Sequence, residues 1–519
     1  LIIPRLTGGD RVLLAFPSRG GDVELYLLKL GQDERDGILL AEDVEWVSTT
    51  LWLLEDGQYR LWGDGFGGFV PNTNHVLLWY EEEGDTVMQQ IRIGDREPTE
   101  VIELSEGLHS GKVVNDFEFI FLEESRDGGE RCYVARPGSE AERVAKADEC
   151  DISRDGSIVY FSEEKRGETT VSVVGVNGKN EQVVLDEVEG VESYQFSADA
   201  SHVAYVQEDD GEARLYLVER RSGEKIEISD QVYRVNSYGF APGSDVLYYV
   251  VREDSDDEEV QLYTSDGDRP IAEEMTISAR FSQDGRYLAY AVEDYDGDET
   301  LYVHPMMGGD DVEVADGDDI DFGFLSTAPS RLVVLVTEED GEFTLSSANL
   351  DGGDVIELLK EDDGAVGSIQ YVPGEPTLYV GMEDEDGEEM LFVTPVDKAT
   401  GFRLLEGWAS IELLNRSAGG RQLAFAALED SGDDPVLYSI AVEDGADPIE
   451  LDDDGEDFYR AVFSANGQFV LYSARTGSDF DELEVRRVRA DGKERFETLY
   501  EEAGLVDVCW DDMDPFSSF

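Results

Sequence analysis

Phe281-Ser282-Gln283-Asp284-Gly285-Arg286-Tyr287-Leu288-Ala289-Tyr290 reads as the end of one β-strand, a tight turn and the start of a second. An acidic turn and a third strand, Thr300-Leu301-Tyr302-Val303, follow it. Asp and Gly supply the local hydrogen bonds and the positive φ that such turns need. Variants of the phrase stand at Phe196-Ser197-Ala198-Asp199, at Phe463-Ser464-Ala465-Asn466-Gly467 and at Ile152-Ser153-Arg154-Asp155-Gly156.

The apolar residue that closes each first strand can be followed outward from there. Anchors fall at Leu6, Phe69, Val114, Ile152, Phe196, Phe240, Phe281, Phe324, Tyr371, Leu414 and Phe463. From Phe69 onward they are 38 to 49 residues apart. A period in the forties with four short strands per unit predicts an all-β chain of tandem β-propellers built from four-stranded antiparallel blades. The longer gap from Leu6 to Phe69 contains Trp46 to Leu54 and Tyr59 to Trp62, read as a degenerate short blade. About twelve blades result. Single rings hold four to eight, so two rings are expected. An even split gives an N-terminal propeller over residues 1–233 and a C-terminal propeller over 234–519, the latter carrying a terminal strand around Trp510, with a seven-plus-five split or a boundary one blade away as the open alternatives.

The phrase resembles the PD40, or TolB-like, repeat, a relative of WD40. The family turn is Phe-Ser-Pro-Asp-Gly, and its Pro is replaced here by Gln283, Ala198, Arg154 and Ala465. The resemblance is sharp in about four units and weak elsewhere. It implies a propeller that serves as a protein-binding platform outside the cytoplasm, or as a gating domain fused to a peptidase.

Composition narrows the partners. Of 519 residues, 120 are acidic and 40 basic, a net charge of −80, and only nine of the basic residues are Lys. Such a field repels nucleic acid and anionic membranes and attracts cations and basic proteins. An acidic, Lys-poor surface also suits concentrated salt, where the Debye length falls to about 3 Å near 1 M. Apolar residues make up 41%, enough for packed cores and unlike a disordered chain. No stretch approaches the ~20 apolar residues of a membrane helix. The expected location is extracellular, cell-surface or periplasmic. Cys132 and Cys150 fall on neighbouring strands, where a bridge is one of two open readings, and Cys509 is left over.

The acidic turn between second and third strands recurs as Glu208 to Glu212, Glu253 to Glu259, Asp294 to Glu299, Glu338 to Glu342 and Glu383 to Glu388. Repetition places these hairpins on one face of each ring. Clustered carboxylates suit Ca²⁺, and Asp294, Asp296 and Asp298 are the best single set, although their spacing is not that of an EF-hand loop. The competing reading is a solvated turn on an acidic surface. Gly63-Asp64-Gly65-Phe66-Gly67-Gly68 matches a dinucleotide fingerprint, but no helix follows it to hold a pyrophosphate, so no organic cofactor is expected.

No nucleophile elbow and no P-loop is present. The four His (His75, His109, His202 and His304) lack metal-ligand spacing. Asn415-Arg416-Ser417 is a lone glycosylation sequon. The chain therefore reads as a non-enzymatic binding scaffold or structural subunit. The rival class is a propeller that gates or contains a hydrolase or lyase site. The segments Leu1 to Leu6 and Val506 to Trp510 read as edge strands. They either latch a ring shut or add to a neighbouring molecule and build a homopolymer.

Overall fold

The computed structural model describes strand backbone from Arg11 to Leu505 and most side chains between residues 131 and 501; residues 1–10, 506–519 and a number of connecting loops lie outside the description. The described residues contain no helix. They form eleven antiparallel sheets, most of them four-stranded meanders in which sequence neighbours pair. We number these blades along the chain: blade 1 (11–44, with Gly504–Leu505), blade 2 (66–104), blade 3 (108–146), blade 4 (149–189), blade 5 (191–227), blade 6 (234–264), blade 7 (275–317), blade 8 (319–361), blade 9 (365–408), blade 10 (410–452) and blade 11 (457–501). This is the tandem β-propeller architecture that the repeat implies.

The anchors mark strand ends closely. Phe196, Phe240, Phe281, Phe324, Tyr371 and Phe463 are each the last residue of a first strand. The conserved geometry behind them is a Ser lock. Ser282 donates its N–H to the Tyr287 carbonyl, and its Oγ accepts from the Tyr287 N–H at 3.1 Å. The Ser282 hydroxyl in turn donates to Asp284 Oδ1 at 2.8 Å, and Gly285 closes the turn at φ 65°. The same two main-chain links join Ser153 to Ile158, Ser197 to His202, Ser417 to Gln422 and Ser464 to Phe469. Ala200 takes the glycine position in blade 5, at φ 52°.

The apolar core is a series of shared interfaces. Leu301 and Val303 of blade 7 pack with Ile320, Leu332 and Val334 of blade 8. Comparable clusters join blades 3 and 4, 4 and 5, 5 and 6, 6 and 7, 9 and 10, and 10 and 11. Each fully buried aliphatic side chain contributes about 1.5–3 kcal/mol relative to exposure. Between blades 3 and 4 the interface also holds a disulfide, Cys132–Cys150, with Cα atoms 6.1 Å apart. Between blades 10 and 11 it holds a buried ion pair: Arg486 Nη1 donates to Asp452 Oδ2 at 2.8 Å. The Tyr472 hydroxyl donates to the same oxygen at 2.6 Å.

Three expectations change. Leu51–Leu53 and Tyr59–Leu61 form no blade of their own; they pair onto the first strand of blade 3, making a six-stranded sheet. That leaves eleven sheets among the described residues, against about twelve expected. Blade 6 shows three strands. The chain also divides into two compact units that are not halves of the sequence. The first comprises Leu1–Trp52, Leu61–Ser105 and Glu361–Ser518, and so holds blades 1, 2 and 9–11. The second comprises Leu53–Arg60 and Glu106–Lys360, and so holds blades 3–8. The division expected at 233/234 falls inside this second unit, where Val232 and Val235 share one cluster with Leu215 and Leu247.

Within the first unit, Gly504–Leu505 pairs antiparallel with blade 1, Leu505 opposite Leu14 and Gly504 opposite Ala15. The C-terminal part of the chain thus supplies the first strand of the N-terminal blade. The two segments expected to form a latch, Leu1 to Leu6 and Val506 to Trp510, lie outside the described residues.

Candidate functional site: the acidic hairpin edge

Among the described blades, the second and third strands are joined at the same edge of each four-stranded meander. In blade 7 the strands Tyr287–Glu293 and Glu299–Pro305 are joined by Asp294 to Asp298. Asp294 donates its N–H to the Asp298 carbonyl at 2.9 Å, and Gly297 follows at φ 95°. The Asp294 carboxylate accepts from the Asp298 N–H at 3.1 Å. Blade 9 repeats this: Asp384 Oδ1 accepts from Asp386 N–H at 3.0 Å and from Glu388 N–H at 2.9 Å. The leading Asp is therefore a turn-former that bonds its own backbone, the usual use of Asp in tight turns. Tyr295, at the tip, is 97% exposed.

The last carboxylate of the hairpin has a different task. Glu299 opens the third strand of blade 7, and its Oε2 accepts from the Ile320 N–H of blade 8 at 2.8 Å. Glu389 opens the third strand of blade 9 and accepts from the Ile411 N–H of blade 10 at 2.6 Å. In both cases the acceptor reaches the second residue of the next blade's first strand. Blade 8 adds a pair of its own, in which the Asp318 carboxylate accepts from the Glu339 N–H of the hairpin. Lys360 pairs with Glu342 there as well. Burial pushes the Glu299 carboxyl up to about 6, and the neighbouring carboxylates of Asp319, Glu293 and Asp321 push in the same direction.

These roles bear on the expected metal set. Asp294 and Asp298 stand in one turn, and Asp296 lies outside the described residues. Among the described residues no group of three or more His, Cys, Asp or Glu side chains is placed to hold a metal ion. Among the described residues of the edge, Glu208, Glu212, Glu339 and Glu388 are exposed.

Other sequence candidates find places too. Phe66–Phe69, which overlaps the end of the glycine-rich match, is the first strand of blade 2 and pairs with Val76 to Trp79. Asn415 and Ser417 of the sequon are both buried, and Asn415 Oδ1 accepts from the Arg416 N–H, so the folded chain offers this Asn to no glycan. His304, unremarked in sequence beyond its type, is hydrogen-bonded to Asp311: Nδ1 lies 2.6 Å from Oδ1, and the Tyr290 hydroxyl donates to Oδ2 at 2.6 Å. Burial works against the Asp311 charge, but these two hydrogen bonds hold the carboxyl below its ordinary range. The group ties the second and third strands of blade 7 to the start of its fourth. Only the bend of the chain between His304 and Asp311 brings the two together, so spacing alone gave no sign of it.

No family model matches the sequence, and no curated protein matches it. Solved structures resemble it in outline. A eukaryotic initiation factor is 11% identical, with 95% of this chain and 96% of that one covered and a TM-score of 0.39. A prolyl endopeptidase is 14% identical over 64% of this chain and 55% of its own, with a TM-score of 0.32. Dipeptidyl peptidase 4 of Porphyromonas gingivalis is 15% identical over 76% of this chain and 59% of its own, with a TM-score of 0.35. The chain thus spans little more than half the length of the two peptidases. Likeness at this level carries no argument about activity.

Proposed function

We propose that this chain is a non-catalytic, extracytoplasmic β-propeller scaffold whose carboxylate hairpin edge receives basic protein segments and cations. The observation that carries the reading is the recurrence of acidic hairpins between the second and third strands of blades 5, 7, 8 and 9, where Glu208, Glu212, Asp294, Asp298, Glu339 and Glu388 are exposed. Carboxylates so arranged act as a field rather than as one coordination site, and a field steers and retains partners of opposite charge. The inter-blade bridge Cys132–Cys150 supports an oxidising compartment. The pairing of Leu505 with Leu14 supports a closed latch over strand donation to a neighbour.

Titration of the purified chain with a poly-lysine peptide, and with Ca²⁺, at rising NaCl tests this reading. Binding that weakens steeply with salt is expected, together with a monodisperse monomer by size analysis with and without Ca²⁺. Hydrolysis of peptide substrates by the chain, with no salt-dependent binding, would instead establish the gating or catalytic propeller of a hydrolase. Ca²⁺-dependent fibres would establish the homopolymer.

A further inference from the structure

We infer that Arg234 and Arg252, side by side at one corner of blade 6, form a binding site for a small carboxylate ligand. Arg234 opens the first strand of the blade and Arg252 closes the second. The two stand directly opposite each other in the antiparallel ladder. Residues so paired carry their side chains on one face of the sheet, with Cβ atoms about 4.5–5.5 Å apart, and like charges there oppose each other. Arg234 is exposed and Arg252 is half-buried. Arg252 Nε is cut off from water, and among the described residues it has no hydrogen-bond partner.

The same corner of another blade shows what such an arginine ordinarily meets. Blade 11 also closes its second strand with an arginine, Arg475, but the residue opposite is Asp457, whose Oδ2 lies 3.5 Å from Arg475 Nη2. The corresponding pairs of blades 5, 7, 8, 9 and 10 hold no cation at all. In a chain of 120 acidic and 40 basic residues, two arginines paired with each other are the exception. A ligand carboxylate at blade 6 takes the place that Asp457 fills in blade 11. Side chains alternate along a strand, so Arg252 shares its face with Tyr248 and Val250. That face packs on Leu288 and Val292 of blade 7, and the site therefore opens at the end of an apolar seam.

The chemistry of the two side chains names the ligand. A guanidinium presents paired N–H donors in one plane, which match the two oxygens of a carboxylate in charge-assisted bonds. A buried donor without an acceptor carries its full desolvation cost, so a carboxylate that accepts from Arg252 Nε is favoured over one that meets Arg234 alone. The charge of the chain sets the size. A net charge of −80 repels an anion in proportion to the anion's own charge, which disfavours a polyanion far more than a mono- or dicarboxylate. The rival occupant is the chain's own acidic run, Glu253 to Glu259, which follows Arg252 and lies outside the described residues.

Isothermal titration calorimetry of the full chain with sodium succinate tests the site. One succinate per chain is expected. Arg234→Gln and Arg252→Gln are each expected to weaken binding by about tenfold or more, the worth of hydrogen bonds to a charged group. Arg252→Lys keeps the charge but not the planar donor pair, and is expected to weaken binding as well, with an unchanged circular dichroism spectrum. A poly-glutamate peptide is expected to bind more weakly than succinate. A further variant replaces Glu253, Asp254, Asp256, Asp257, Glu258 and Glu259 with Ser, and is expected to bind succinate at least as tightly as wild type. Succinate binding that appears only in this variant would show that the chain's own carboxylates fill the site, and would overturn the inference. So would no binding in either chain, binding undiminished in R234Q and R252K, or tighter binding of poly-glutamate.

Discussion

Asp452→Asn removes one charge from the ion pair between blades 10 and 11. Asp452 ends the outer strand of blade 10, and Arg486 lies in the third strand of blade 11. Their side chains are 0% and 3% exposed. The substitution leaves the guanidinium with Glu484 at 2.8 Å, the Asp454 carbonyl at 2.9 Å and the Phe496 ring beneath it. Glu484 is partly in water and cannot replace a partner that is fully out of it. Burial opposes the Arg486 charge, yet the hydrogen bonds from Asp452 and Glu484 outweigh it and keep its pKa above the ordinary value. Burial and the Asp452 charge both push the Tyr472 hydroxyl up, so it remains the proton donor. Stranding one member of a buried pair costs about 3–5 kcal/mol. That is a large part of the ~5–15 kcal/mol that holds a typical domain folded.

Urea unfolding followed by circular dichroism, with Trp408 fluorescence as a probe of the first unit, reads the loss. D452N and Arg486→Met are each expected to lose about 3–5 kcal/mol, and the double variant less than their sum, because it strands no charge. The loss should persist in molar salt, where a Debye length of about 3 Å screens exposed pairs but not one removed from water. Single-variant losses below about 1 kcal/mol, strict additivity, or a loss that salt abolishes would refute the argument.

Cys132→Ala with Cys150→Ala opens a loop whose ends are 18 residues apart in sequence. The chain-entropy relation gives a loss of about 3 kcal/mol, and dithiothreitol should lower the wild-type unfolding midpoint while leaving the double variant unchanged. Ser282→Ala deletes the acceptor of the Tyr287 N–H at a fully buried site, with an expected loss of about 1–3 kcal/mol by thermal or urea unfolding.

Blade chemistry was legible in sequence because it is local. The Ser lock spans six residues, from Ser282 to Tyr287, so Phe281 marks a strand end without help from the rest of the chain. What joins one blade to another was not legible. The last Glu of a hairpin and the amide of Ile320 are 21 residues apart, and nothing in the acidic run distinguishes Glu299 from the carboxylates that only face water. The bond from the Asp298 N–H to the Asp294 carboxylate was likewise not legible, because nothing in the acidic run marks which Asp shapes the turn. Unit membership failed for a related reason. Equal division of repeats assumes that neighbours in sequence share a ring, and the pairing of Leu505 with Leu14 breaks that assumption.

The interleaved order of the blades has a consequence for how the chain is made. Blades 1 and 2 leave the ribosome before blades 3–8, but their unit is completed only by blades 9–11 and Gly504–Leu505. Blades 3–8 form an uninterrupted run and can finish earlier. Blades 1 and 2 therefore wait longer than blades 3–8, holding open strand edges while hundreds of residues are still to be added. The net charge of −80 over the whole chain opposes association of waiting chains during that interval.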